Sequence, residues 1–363
     1  MRHESAIKDF DWPLMALAFL ISGLGVLEIY SAAGATAWQD AYLRQIFWVA
    51  LGFVLLWISS GVDYHWLVGQ SPAFYGVTIA GLLAVWAFGP TINGSQRWLP
   101  VFGGFNLQVS EFAKVVLVLL VARLFSELPK GGLKVVGLLK GGAIFCVPWL
   151  LVLRQPDLST SLSYVPIFGI GVLLGGLRWK YVSIGVLVAL LMLPLVWRSL
   201  EPYQQSRLTT FMDPEQDPRG EGYQSLQSKI AVGAGGIWGQ GFARGSQTQL
   251  RFLPVPHTDF VFAAYAEETG FVGVTLALTL YFALLMRIVH NAQTASDSQG
   301  MLVCMGVAAL LLFHIVVNVG MVVNKMPVTG IPLPLMSYGG SSTLTTFLLL
   351  GLVNNVRMRR FAN

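Results

Sequence analysis

Long apolar runs separated by short polar connections recur along almost the whole chain. An α-helix needs about 20 apolar residues to cross a bilayer. Runs near that length fall at residues 13–33, 45–60, 72–90, 111–125, 138–153, 161–177, 181–198, 259–288, 301–323 and 333–353. The shorter ones are expected to be tilted, broken or covered by protein. Backbone inside a bilayer must satisfy its own hydrogen bonds, so such runs form helices. The pattern predicts an all-α fold, a polytopic integral membrane protein with about ten transmembrane helices. One polar, glycine-rich stretch, about residues 199–258, interrupts it and is expected to form a large extracytoplasmic loop between helices 7 and 8. No linker or internal repeat divides the chain, so residues 1–363 read as a single membrane domain.

Composition supports this class. The chain is 55% hydrophobic and 11% charged, against about 25% charged in a soluble domain. Its net charge of +5 is mostly an orientation signal. Arg2, Lys8, Arg123, Lys130, Lys134, Lys140, Arg178, Lys180, Arg287, Arg357, Arg359 and Arg360 all fall on one side of the predicted spans. Basic residues in short loops mark the cytoplasmic face, which places both termini inside. No soluble basic domain with interleaved aromatics is present, so nucleic acid is not expected as a partner. Ala33-Gly-Ala35 looks like a signal-peptidase site, but the preceding apolar run is long and Glu4, Asp9 and Asp11 crowd its start. It reads as an uncleaved span. Cys146 and Cys304 both lie in apolar runs and suggest no disulfide framework. His3, His65, His257, His290 and His314 are scattered, and no metal site is expected from them.

Candidate chemistry gathers on the outward side. Asp259, in Leu253-Pro-Val-Pro-His-Thr-Asp259, is a carboxylate where the loop meets a span. An acid at a membrane lip is costly to desolvate, and is more often functional than decorative. Arg97 and Trp98 lie on the connection before the fourth span, and Ser110-Glu-Phe-Ala-Lys114 opens that span. Glu111 and Lys114 are three apart and share a helix face. They form either an anchoring ion pair, with Ser110 as the helix cap, or a Glu-oriented lysine that meets an anion beside Arg97. Trp98 alone reads as an interfacial aromatic. Arg154-Gln-Pro-Asp157 supplies another outward cation and an aspartate suited to capping the next helix. Residues 224–232 have the pattern of a short amphipathic helix on the membrane surface. Glu267 and Glu268 lie deeper and read as bundle glue, paired or hydrated. Pro and Gly are dense across residues 326–342, which marks irregular backbone covered by protein or lining a cavity.

One acid, several cations and an apolar groove suit an amphiphile with an anionic head and a lipid tail. Transfer of a sugar from a lipid pyrophosphate needs only this set. The pyrophosphate leaves without protonation, so the second carboxylate of a glycosidase is not required. A single base takes the acceptor's proton, and cations, with or without a divalent Mg or Mn ion, stabilise the leaving group.

The motifs Gly94-Ser-Gln-Arg-Trp98, Ser110-Glu-Phe-Ala-Lys114, Gln155-Pro-Asp157, Gln224-Ser-Leu-Gln-Ser228, Gly245-Ser-Gln-Thr-Gln-Leu-Arg-Phe-Leu-Pro254, His257-Thr-Asp-Phe260 and Pro334-Leu-Met-Ser-Tyr-Gly-Gly-Ser-Ser342 occur in this order. Together they resemble the SEDS family of shape, elongation, division and sporulation proteins, across nearly the whole chain. The run 247–254 looks like the elongation, rod-shape branch. The resemblance implies a peptidoglycan glycosyltransferase that polymerises lipid II on the outer face of the bacterial cytoplasmic membrane. It implies a class B penicillin-binding protein as transpeptidase partner, beside other membrane proteins of the elongation complex. The family's essential aspartate falls on Asp259 and its Glu–Lys pair on Glu111 and Lys114. The expected site is therefore Asp259 as catalytic residue, with Arg97, Trp98, Glu111, Lys114, Arg154, Asp157, His257, Ser337 and Tyr338 around substrate. Val109 and Val255 depart from the family's usual proline and glutamate. A lipid II flippase and a non-catalytic scaffold of the wall-synthesis complex are the alternative readings.

Overall fold

The computed structural model describes residues 9–34, 38–91, 95–100, 106–127, 133–177, 179–199, 202–213 and 220–360. Arg2, His3, Glu4, Lys8, Ala35, Gly94, Lys130 and Arg178 lie outside them. In chain order the helices are α1 (Trp12–Ala33), α2 (Ala41–Gly61), α3 (Tyr64–Gly69), α4 (Ser71–Phe88), α5 (Val109–Ser126), α6 (Val135–Arg154) and α7 (Leu158–Leu174). They continue as α8 (Trp179–Ser199), α9 (Pro202–Met212), α10 (Glu221–Ala234), α11 (Ser246–Gln249), α12 (Val261–Gln293), α13 (Ser298–Val322) and α14 (Gly340–Met358). A two-residue antiparallel pair, β1 (Leu99–Pro100) with β2 (Asn106–Leu107), is the only strand pair among the described residues.

Among the described residues, six helices are long and apolar enough to cross a membrane: α1, α2, α4, α6, α12 and α13. The chain is a multi-pass membrane protein. α5, α7, α8 and α14 occupy the other predicted spans, and two of them are less apolar for a visible reason. α5 buries Glu111 and Lys114, and α14 buries Thr343, Thr345, Thr346, Asn354 and Asn355. These helices are covered by protein, which can satisfy polar groups that lipid cannot.

α13 runs through the middle, packed on α12, α5, α7 and α14, while α14 lies along α2. A Cβ at Gly351 would meet Leu56 O at 2.7 Å, so the α2–α14 approach requires glycine there. The last span starts at Gly340, not at residue 333 as its apolar run suggested, because Pro332 and Pro334 keep the preceding chain out of a helix. The eighth starts at Val261, leaving Asp259 just outside it, and kinks at Gly270, whose φ is +65°.

The described residues of the 199–258 loop are more ordered than its glycine content implied, since they hold α9, α10 and α11. α10 matches the expected amphipathic helix but buries one side against protein. Ser225 Oγ donates to Asn324 Oδ1 (2.7 Å) and Ser228 Oγ to Val322 O (2.9 Å). Glu267 and Glu268 act as the expected glue. Glu267 accepts from the amides of Gln247 (2.7 Å) and Thr248 (3.1 Å), and Glu268 from the Ala243 amide (3.0 Å) and the Ser31 hydroxyl.

Candidate active site

A cavity of about 1170 Å³ opens at the bundle end where α1 meets α2, α4 meets α5 and α6 meets α7. The polar chain before α12 and the irregular segment before α14 complete its wall. Of the expected site residues, Asp259, Arg97, Trp98, Glu111, Lys114, Asp157 and Tyr338 all line it. Separate connections therefore converge on one cavity.

Asp259 is held by its backbone. Asn318 Nδ2 on α13 donates to Asp259 O (3.0 Å) and to Ile331 O (2.8 Å), joining the chain before α12 to the segment before α14. Ser337 Oγ adds a second stitch, donating to Thr258 O (2.7 Å) and accepting from the Leu333 amide (2.8 Å). The Tyr338 amide donates to His257 O (3.0 Å), a third. Burial raises the Asp259 carboxyl above its ordinary range, and the guanidinium groups of Arg207 and Arg97 oppose that rise. Such an acid is suited to take a proton.

On α5, Lys114 Nζ donates to Glu111 Oε1 at 2.6 Å, and both side chains are almost fully buried. Ser110 does not cap the helix. Gln108 stands at the cap position, and the Ser110 carbonyl accepts from Tyr164 Oη at 2.7 Å. Asp157 serves as the expected cap and also lines the cavity. It caps α7 through the Thr160 amide (3.2 Å), accepts from Gln108 Nε2 (2.8 Å), and faces Arg97 Nη1 at 3.7 Å.

Three expected residues do not line the cavity. Arg154, at the C-terminal end of α6, is exposed and is not among the lining residues. Ser337 is consumed by its structural bonds. His257 is buried and supports the wall from behind, its ring 5.5 Å from Trp38 and 5.9 Å from Tyr338, which do line it. Conversely, sequence reasoning missed Arg44, Gln108 and His314 in the wall. Arg44 had a signal, as a cation at the edge of an apolar run. His314 was passed over because no other histidine lies at ligand spacing from it.

Among the described residues no group of three His, Cys, Asp or Glu could hold a metal ion. The carboxylates in the wall are engaged by Lys114 or Arg97, while the Asp259 carboxyl takes a hydrogen bond from Thr258 and feels the charges of Arg207 and Arg97. A divalent ion here would need ligands from a phosphorylated substrate.

The family model described as cell cycle protein, that of FtsW, RodA and SpoVE, matches residues 11–361. Peptidoglycan glycosyltransferase MrdB of Escherichia coli K12 is 39% identical over 352 residues, covering 96% of this chain and 92% of that protein. A chain in the structure of a peptidoglycan synthase complex that coordinates polymerization and crosslinking is 33% identical, with a TM-score of 0.84 over 98% of this chain and 99% of that one. The rod shape determining protein RodA of Thermus thermophilus is 30% identical, with a TM-score of 0.73 over 98% of each chain. The motif resemblance, the fold and these relatives agree, and the chain belongs to the FtsW, RodA and SpoVE family.

Proposed function

We propose that the chain is a peptidoglycan glycosyltransferase that polymerises lipid II into glycan strands at this cavity, in the elongation branch of its family. The enzyme class and polymer are those of relatives that cover nearly the whole chain. The observation that carries the mechanism is the convergence of Asp259 with Arg97, Lys114 and Arg44 on one cavity wall. In the reaction, Asp259 takes the proton of an acceptor sugar hydroxyl. The oxygen bonds to the anomeric carbon of the donor, whose bond to the pyrophosphate oxygen breaks. Both bonding electrons leave on undecaprenyl pyrophosphate, and the cations meet that charge in a low-dielectric site. A Mg or Mn ion bound by the pyrophosphate would supply further charge, while the steps above use only the chain's own groups.

The basic residues at the other end of the bundle support a cytoplasmic placement for that end, with both termini inside and the cavity facing outward. The likeness to a chain of a polymerizing and crosslinking complex supports a class B penicillin-binding protein as partner. The test is polymer formation from purified lipid II by the protein with that partner. Wild type is expected to make glycan and Asp259→Ala none, with folding and partner binding retained. Equal polymer from both would remove Asp259 from the chemistry. No polymer from partner-bound wild type would favour the flippase or the scaffold.

A further inference from the structure

His314 lies on α13 four residues before Asn318, so the two share one helix face. Asn318 holds Asp259 and Ile331 by their carbonyls. His314 is buried with both ring nitrogens engaged. Nδ1 is 3.2 Å from Pro332 O, and Nε2 is 3.5 Å from Lys114 Nζ. These partners fix the tautomer. A carbonyl only accepts, so Nδ1 carries the hydrogen and Nε2 turns its lone pair toward the ammonium, which only donates. Lys114 is thus directed by Glu111 from its own helix and by His314 from across the cavity wall.

We propose that His314 is a positioning residue for glycosyl transfer, setting the Lys114 ammonium against the 331–332 backbone and so against Asp259. The face of α13 acts as a two-pronged gauge. One prong, Asn318, places the acid, and the other, His314, places the cation. Lys114 has a mobile point charge on a four-carbon stem, and Glu111 alone restrains it along one direction. The Nε2 contact restrains it from a second side. The inference rests on the reading of Asp259 and Lys114 as groups of the reaction.

Two substitutions separate the contacts, because asparagine reproduces the Nδ1 position of histidine and glutamine the Nε2 position. His314→Gln can accept from Lys114, whereas His314→Asn can only donate to Pro332. The assay is steady-state polymerisation of lipid II by the partner-bound protein, read as kcat and KM, beside thermal unfolding of each variant. We expect His314→Leu and His314→Asn to lose about 10²-fold in kcat with little change in KM, the scale of a misplaced reaction group. His314→Gln is expected to stay within about threefold of wild type, a factor too small to reflect a lost contact. Active Asn with inactive Gln would overturn the proposal and leave His314 as a loop brace. So would unchanged kcat in all three, or losses that follow thermal stability alone. Asp259→Ala in the same assay tests the catalytic reading separately, since its activity does not depend on what His314 does.

Discussion

Gly330 lies directly against the Asp259 carboxyl. A Cβ built on it would stand 3.3 Å from Asp259 Oδ2, and its φ is +71°. Two separate physical demands therefore fall on one residue. The backbone angle costs a non-glycine residue about 1–2 kcal/mol, and the added methyl crowds the carboxyl proposed as the general base. Gly330→Ala is expected to lower the unfolding temperature slightly and turnover strongly. Gly330→Asn tolerates the positive φ better but crowds the carboxyl more. If turnover falls in both while stability recovers in Asn, crowding is the cause. Kinetics and thermal unfolding of the pair decide this.

At the opposite end of the bundle, Asp11 ties together three helices. It accepts from Arg287 Nε (2.8 and 3.0 Å) and Asn291 Nδ2 (2.6 Å) and caps α1 through the Leu14 amide (3.2 Å). Its own amide donates to Asn354 Oδ1 at 2.7 Å. Asp11→Ala would leave the partly exposed Arg287 without its carboxylate and Asn291 and the Leu14 amide without their acceptor, and each buried donor left unsatisfied costs about 1–3 kcal/mol. We expect a large drop in unfolding temperature. Polymer made per folded molecule should hold, because Asp11 is remote from the cavity. A selective loss of turnover at unchanged stability would contradict this.

Particular residues show what the sequence could and could not reveal. The spans were legible because lipid demands long apolar runs, and Asp259 because an acid at a run's edge is conspicuous. The Glu111–Lys114 pair was legible because its spacing fits one helix. By contrast, Ser337 and His257 look like site residues by motif, yet they build the wall, and only contacts across more than 70 residues show it. The pairings of His314 and Asn318 were illegible for the converse reason. Their partners, Pro332, Lys114 and Asp259, come from three different elements, and no local pattern records such a meeting. Helix ends were misjudged where proline overrides apolarity, as before Gly340.

His65 makes an exposed pH-dependent joint between α3 and the start of α13. Its Nδ1 is 3.0 Å from Asp63 Oδ1 and its Nε2 2.6 Å from Asp297 Oδ2. Burial pulls the imidazole down, but hydrogen bonds to the two carboxylates outweigh it and raise its pKa. Burial pushes Asp63 and Asp297 up, but bonds from the His65 and Gly300 amides and the ring outweigh it and lower both. The raised histidine contributes fully below its unfolded value of about 6.5 and is lost as pH rises through its folded value. The lowered aspartates contribute above about 3.9 and are lost as pH falls through their folded values. The joint is therefore strongest between about pH 4 and 6.5. His65→Ala should cost about 0.2–1 kcal/mol there, screened by solvent, and less in alkali. A pH-independent cost would mean that stacking on Tyr64, at 4.0 Å between centroids, is what the ring supplies.

If Asp259 is the general base, the charge of Arg207 is expected to set where its acid limb falls. Burial raises the carboxyl, and Arg207 leads the groups that pull it back. A general base must be ionised, so turnover falls as pH drops through its pKa. Arg207→Gln removes the opposing charge, and the acid limb of the pH–rate profile should move to higher pH, with turnover approaching wild type above it. Arg207 also donates to Thr329 O at 3.2 Å, beside Gly330, so a backbone effect must be separated from a charge effect. Arg207→Lys keeps the charge and loses the planar donor geometry. It should restore the position of the limb, whatever it does to its height. An unmoved limb in Arg207→Gln would mean that the titrating group is not Asp259. The same burial makes a stability claim of opposite sign to activity. A carboxyl raised by folding penalises the native state as pH rises above its unfolded value of about 3.9, and the penalty is complete above its folded value. Asp259→Asn should then be at least as stable as wild type at neutral pH while making no polymer, as expected of an acid kept for chemistry and not for the fold.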